Sequence, residues 1–146
     1  MLVQAGASQV GVEIDLMIRG ICCLKPGVPG VSETIRVTSI VGRFLEHTRI
    51  FYFANGGDEE IFSGSADMME RNLDRRVEVL FPISDPSLRT HLREVVLDTM
   101  LKDTERTWML TPSGHYERVT TAGEPVDAQR TLIEWYAASA RDDQSA

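Results

Sequence analysis

From Val12 to Ile18 the chain alternates: Val12, Ile14, Leu16 and Ile18 fall on one side, Glu13, Asp15 and Met17 on the other. That period of two predicts a half-buried strand. The strand runs into Arg19-Gly20-Ile21-Cys22-Cys23-Leu24, and the prolines and glycines of Lys25-Pro26-Gly27-Val28-Pro29-Gly30 then predict a loop. Thr34 to Ile40 is a second strand, followed by a short amphipathic helix over Val41 to Glu46. Arg49 to Ala54, rich in aromatic and branched residues, predicts a central strand; Asn55-Gly56-Gly57-Asp58 turns it and Glu60 to Gly64 returns. Asp67 to Arg75 reads as a polar helix and Val77 to Phe81 as a strand stopped by Pro82. Asp85 and Pro86 are helix start signals, and Leu88, Leu92, Val95, Val96 and Met100 then recur at helical spacing through Lys102. Thr107 to Leu110 and Tyr116 to Val119 form a hairpin, Asp127 to Ala140 a last helix, and Arg141 to Ala146 a polar tail. The opening, Met1 to Gly11, is rich in small residues and reads as a frayed helix or a ragged start. Strands alternating with helices predict an α/β fold.

The length, 146 residues, fits a single domain spanning 1–146. With 42% hydrophobic and 25% charged residues, a disordered tail and a disulfide-stapled miniprotein are excluded. No apolar run approaches the roughly 18–20 residues of a membrane-spanning helix, and the amino terminus lacks a basic region followed by an apolar stretch, so a cytoplasmic protein without a transmembrane segment is expected. Cys22 and Cys23, adjacent in an apolar run and expected to be buried, are too few for a disulfide framework or a zinc site.

Charge changes the picture more. Fifteen basic against 22 acidic side chains give a net charge of −7, which disfavours nucleic acid as a partner. Between Leu16 and Gly57, however, Arg19, Lys25, Arg36, Arg43 and Arg49 oppose only Glu33 and Glu46, five against two, a local +3. An anion site is expected in this stretch. Arg19 lies at a strand end, where open α/β sheets tend to place ligands. His47 and Arg49, two apart at the start of the aromatic strand, point to one face and can converge on one ligand. Gly64-Ser65-Ala66-Asp67 follows the returning strand. A His-x-basic pair, a hairpin and then Gly-Ser-x-Asp is a phosphoryl-handling pattern: the imidazole attacks or protonates, while the cation and the hydroxyl hold the remaining oxygens. Each piece also has a plain structural reading. Ser65 or Asp67 can cap a helix. Gly27 and Gly30 with Lys25 can form an anion-binding nest or simply punctuate a turn. Arg71, Arg75 and Arg76 can pair with Glu70, Asp74 and Glu78 on an exposed face. His91 and His115 have nothing convergent nearby and receive no role.

Ile14 through Gly30, Ile35 through Ile50, and Ser65-Ala66-Asp67 through Arg71-Asn72-Leu73-Asp74-Arg75-Arg76-Val77-Glu78-Val79 together closely resemble the carboxy-terminal domain of bacterial polyphosphate kinase of the long, histidine-phosphorylated type. The resemblance spans roughly Gly11 to Asp103, and consecutive runs of this length are far more specific than a short motif. It implies a phospholipase D-like fold, a mixed sheet flanked by helices. It also implies reversible transfer of the terminal phosphate of ATP to inorganic polyphosphate, with Mg2+. It assigns ATP contacts to Arg19 and His47, beside which the local pattern keeps Arg49 and Ser65 as further phosphate ligands and His47 as the catalytic group. Met68 and Glu70 stand where the family usually has tryptophan and proline. In the family the phosphorylated histidine belongs to a preceding domain, and no second matching histidine motif occurs in this chain. The expectation is therefore a carboxy-terminal fragment that supplies half of an ATP site and is inactive alone. Its partners would be ATP or ADP, polyphosphate, and the missing domains or a complementary subunit. Two alternatives stand beside it: a non-catalytic phosphate-binding remnant, and a phospholipase D-like phosphodiesterase that works as a homodimer. The second is opposed by Arg49, which replaces the usual lysine.

Overall fold

The computed structural model describes residues 2–142. In chain order the elements are α1 (Leu2–Gln9), β1 (Ile14–Met17), β2 (Ile35–Ile40), β3 (Ile50–Phe53), β4 (Glu60–Gly64), α2 (Glu70–Arg75), β5 (Leu80–Pro82), α3 (Pro86–Thr90), α4 (Asp98–Leu101), β6 (Thr107–Leu110), β7 (Tyr116–Arg118) and α5 (Ala128–Asp142). A π-helical stretch, His91–Leu97, joins α3 to α4 without a break. Backbone contacts divide the chain into two units, 1–46 with 100–146, and 47–99.

In the first unit the alternation read from the sequence is what builds the sheet. β1 runs parallel to β2, β2 antiparallel to β6, and β6 antiparallel to β7, giving the order β1-β2-β6-β7. Ile35 and Val37 on one face of β2 join Leu110 as the buried core, and Ile14, Leu16, Ile18, Cys22 and Leu24 pack against them. Parallel neighbours require a long crossover, usually helical. Here the connection after β1 is a loop held by Ser32, a buried residue whose hydroxyl donates to Lys25 O at 2.6 Å and accepts from Val28 N–H at 3.2 Å. Asp103, also buried, organises the other end. One carboxylate oxygen accepts from Arg106 N–H at 2.8 Å and Thr107 Oγ1 at 2.9 Å, and the other from Ala128 N–H at 2.7 Å. Asp127 then caps α5 by accepting Arg130 N–H at 3.0 Å. Both tryptophans belong to this unit: Trp108 in β6, and Trp135 in α5, edge-on to Tyr136 at 4.9 Å.

Two expectations fail in this unit. No helix forms over Val41 to Glu46. Instead the Gln129 amide takes the backbone there as its partner, donating to Phe44 O at 2.8 Å and accepting Phe44 N–H at 3.1 Å, with a further bond to Glu46 at 2.6 Å. A Cβ on Gly42 would sit 2.3 Å from that amide oxygen, so the glycine is what lets Gln129 approach. The cysteines are not both buried: Cys22 packs on the core, whereas Cys23 is exposed.

In the second unit β3, β4 and β5 form an antiparallel sheet in that order. Asn55, Gly56 and Gly57 all turn through positive φ (44°, 64° and 105°) to link β3 to β4. β4 covers the predicted residues, while β5 begins later than the expected Val77. The reason is Ser65, whose N–H donates to Val79 O and whose side chain accepts Val79 N–H, so the chain is tied before ladder pairing starts at Leu80. Asp85 caps α3 as expected, accepting Leu88 N–H at 3.0 Å. The widened π turn that follows carries Arg93 over the Tyr52 ring at 4.9 Å.

Candidate functional site

Arg19 belongs to the first unit. β1 ends at Met17, Ile18 N–H still donates to Thr38 O at 2.8 Å, and the chain then bends at Arg19 and Gly20. The guanidinium therefore stands, exposed, just past the carboxyl end of a strand. The glycine loop that follows is not an open nest. Gly27 N–H donates to Ser32 O and Gly30 N–H to the Glu33 carboxylate, so the donors an anion would need are occupied, one of them by an anion of the chain itself.

The second unit brings three predicted residues together. His47 and Arg49 precede β3 rather than lying in it, yet they remain adjacent. Arg49 Nη1 lies 3.0 Å from His47 Nδ1, and Nη2 lies 3.4 Å from Nε2. The same Nη1 donates to His47 O at 3.3 Å. From its other edge the guanidinium donates through Nε to Asp67 Oδ1 at 3.0 Å. The Arg49 and Asp67 side chains are only 16% and 23% exposed, so this pair is less screened than an ordinary surface ion pair. Ser63 Oγ donates to Arg49 O at 3.1 Å and fixes the backbone beneath it. Asp67 had a plain capping role open to it; its carboxylate holds Arg49.

Ser65 sits in a separate polar cluster. Its hydroxyl donates to Glu78 Oε2 and accepts Val79 N–H at 3.1 Å. Glu78 also receives the Asn72 amide at 2.7 Å and Arg76 Nε at 3.5 Å. These contacts, the Ser65 hydroxyl first, then the Asn72 amide, with Arg76 and Arg49 adding positive charge, hold the Glu78 carboxyl below its ordinary value. Sequence reasoning placed Glu78 in an exposed pairing with Arg76. Its partners are the exposed Ser65 and the buried Asn72, and no spacing rule links those positions to 78. Asn72, Glu78 and Arg76 also line an apolar cavity of about 400 Å³ with Phe51, Phe53 and Leu73. Among the described residues no group of three or more His, Cys, Asp or Glu side chains could hold a metal ion. No described helix is long and apolar enough to cross a membrane.

Sheets flanked by helices, with a His-x-Arg pair braced by the aspartate of a Gly-Ser-Ala-Asp run, define the phospholipase D-like α/β class. Residues 2–129 match the family described as polyphosphate kinase C-terminal domain 2, and the chain belongs to that family. It is 58% identical over 124 residues to the polyphosphate kinase of Thermosynechococcus vestitus, covering 85% of this chain and 16% of that protein. Against the polyphosphate kinase of Pseudomonas putida the identity is 54% over 130 residues, 88% of this chain and 18% of that protein. The crystal structure of polyphosphate kinase from Porphyromonas gingivalis superimposes with a TM-score of 0.86 at 41% identity, covering 93% of this chain and 21% of that one. The chain thus spans less than a fifth of the length of these two curated relatives.

Proposed function

We propose that this chain supplies phosphate-binding groups for reversible, ATP-dependent phosphoryl transfer to inorganic polyphosphate, and that alone it binds nucleotide without turning over. The observation that carries the reading is the braced pair in the second unit: a shielded guanidinium held by Asp67 with an imidazole at its free edge. A migrating phosphoryl group spreads negative charge over three oxygens, so catalysis is mostly positioning and cationic stabilisation. Arg49 offers a fixed cation of that kind. Arg19, exposed past the end of β1, offers a second guanidinium whose planar fork suits phosphate oxygens. His47 donates to a phosphate oxygen. Ser65 reaches phosphate only by exchanging it for Glu78 as acceptor, so its first duty is to hold the residue 65–79 crossing.

Mg2+ enters with the nucleotide, since the described side chains build no cluster of three or more ligands of their own. When bound it neutralises phosphate charge. Turnover needs one group to attack and another to assist the leaving oxygen, and the family resemblance puts the phosphorylated histidine in another domain. That domain, on the same or a complementary polypeptide, is the expected partner, with polyphosphate as the second substrate.

Calorimetric titration with MgATP tests the reading. Binding should weaken roughly tenfold, about 1.4 kcal/mol, in Arg19→Ala and again in His47→Ala. Wild-type protein that takes up no nucleotide would overturn the half-site, and polymer synthesis by the isolated chain would overturn its dependence on another domain.

A further inference from the structure

Between Ile40 and Ile50 the chain forms neither helix nor strand, although the amphipathic pattern of Val41 to Glu46 favours a helix there. Backbone that does not wind must find its partners elsewhere. Gln129, on the first turn of α5, supplies them. Its Oε1 accepts Phe44 N–H at 3.1 Å, and its Nε2 donates to Phe44 O at 2.8 Å and to Glu46 Oε1 at 2.6 Å. A carboxamide suits this set, with an acceptor for the N–H and two donors for the two oxygens. The side chain starts from a fixed point, because Asp103 holds Ala128 N–H at 2.7 Å and Asp127 holds Arg130 N–H at 3.0 Å on either side of it. Gly42 completes the arrangement. A Cβ there would come within 3.0 Å of Oε1, Cδ and Nε2 of Gln129, all atoms of the same amide.

We infer that Gln129 is a positioning residue for His47: by gripping Phe44 and Glu46 it keeps residues 44–46 out of the helix their pattern favours, and so fixes the path on which the chain enters His47, the next residue. An α-helix advances about 1.5 Å per residue against about 3.3 Å for extended chain, so winding this segment would draw in and turn the lead to the imidazole. A misplacement of about 1 Å is enough to cost a phosphate-handling group most of its effect. Arg49 does not replace the grip, since its contacts with His47 tie those two residues to each other and not to the segment ahead of them. The bearing on phosphate rests on the proposed function. The grip and its effect on the imidazole do not, and both are measurable without nucleotide.

Gln129→Ala and Gly42→Ala remove the grip by independent routes, one by deleting the amide and the other by displacing it. Each should speed amide hydrogen exchange at Phe44 roughly tenfold, the worth of one ordinary hydrogen bond. Each should also shift the NMR signals of the His47 ring, assigned through His47→Gln, while those of His91 and His115 stay in place. MgATP binding should weaken several-fold in both. The double variant should do no worse than either single one, because Gly42→Ala then has no amide left to displace. Gln129→Glu loses both donors and faces the Glu46 carboxylate, so it should be worse than Gln129→Ala, and adding Glu46→Gln should restore part of the loss. Additive effects of Gly42→Ala and Gln129→Ala, or His47 signals unmoved by both, would overturn the inference. Unchanged MgATP affinity in variants whose His47 signals move would overturn its bearing on phosphate. A wild-type protein that binds no MgATP, yet shows the shared shift of His47 in both variants, would leave Gln129 as a positioning residue and remove only the proposed function.

Discussion

The two units place their candidate chemistry differently with respect to what holds them together. In the first, structure rests on Ile35, Val37 and Leu110 and on the buried anchors Ser32 and Asp103, whereas Arg19 stands on an exposed bend outside that frame. In the second, Ile61 and Val96 are the only described apolar residues that are buried, and Phe53, Val79, Leu80 and Phe81 stay about half exposed. There the tying is done by Arg49 with Asp67 and by Ser65 with Glu78 and Val79, residues that are themselves site candidates or their direct partners. Where packing carries the fold, the residues that hold it are not the ligand-binding candidates. Where polar contacts carry it, they are, and a substitution at a candidate loosens the scaffold.

The largest effect that sharpens this contrast is expected at Asp103, far in role from any candidate site. Asp103→Ala removes acceptors from two backbone N–H groups and a buried threonine hydroxyl, a loss of about 3 kcal/mol or more. Chemical denaturation measures it. A loss below about 1 kcal/mol would mean that the first unit does not depend on its buried polar anchor.

Glu78 probes the second unit through pH. Its carboxyl is held below the ordinary value of 4.5, chiefly by the Ser65 hydroxyl and then by the Asn72 amide, so near that value the unfolded chain binds more protons than the folded one. The stabilisation is complete above 4.5 and fades as pH falls through the lowered folded value. Glu78→Gln should flatten the acid limb of stability below 4.5, and an acid limb as steep as wild type would break the assignment of polar tying to this unit.

The smallest effect is expected at the α5 cap. Asp127→Ala should cost about 1 kcal/mol in thermal or denaturant unfolding, because Arg130 N–H loses its acceptor while the core of the first unit is untouched. A cost several times larger would show that α5 contributes to that core.

Most of the sheet was readable because alternation and turn chemistry are local. Glu60–Gly64 and Thr107–Leu110 are strands over the expected residues, and Asp85-Pro86 opens a helix. The failure at Val41 to Glu46 has a long-range cause: the amphipathic pattern is real, but Gln129, 85 residues from Phe44, satisfies the backbone in a non-helical form. The π stretch was also hidden, since apolar spacing predicts a helix there without specifying its hydrogen-bond register. Within the candidate site, His47 and Arg49 were paired by their spacing. The brace on Arg49 was not, because an aspartate beside a turn reads equally well as a cap. Asp103 carried a weak signal, an acidic residue closing one helix just before a strand, but nothing in the sequence could assign it three donors.

One consequence of where the large rings lie is optical. Trp108 and Trp135 are both in the first unit, and of the tyrosines only Tyr52 lies in the second, with its hydroxyl bonded to Glu59 and Arg93 stacked above its ring. Indole emission therefore reports the first unit, and the second is read through a single phenol chromophore.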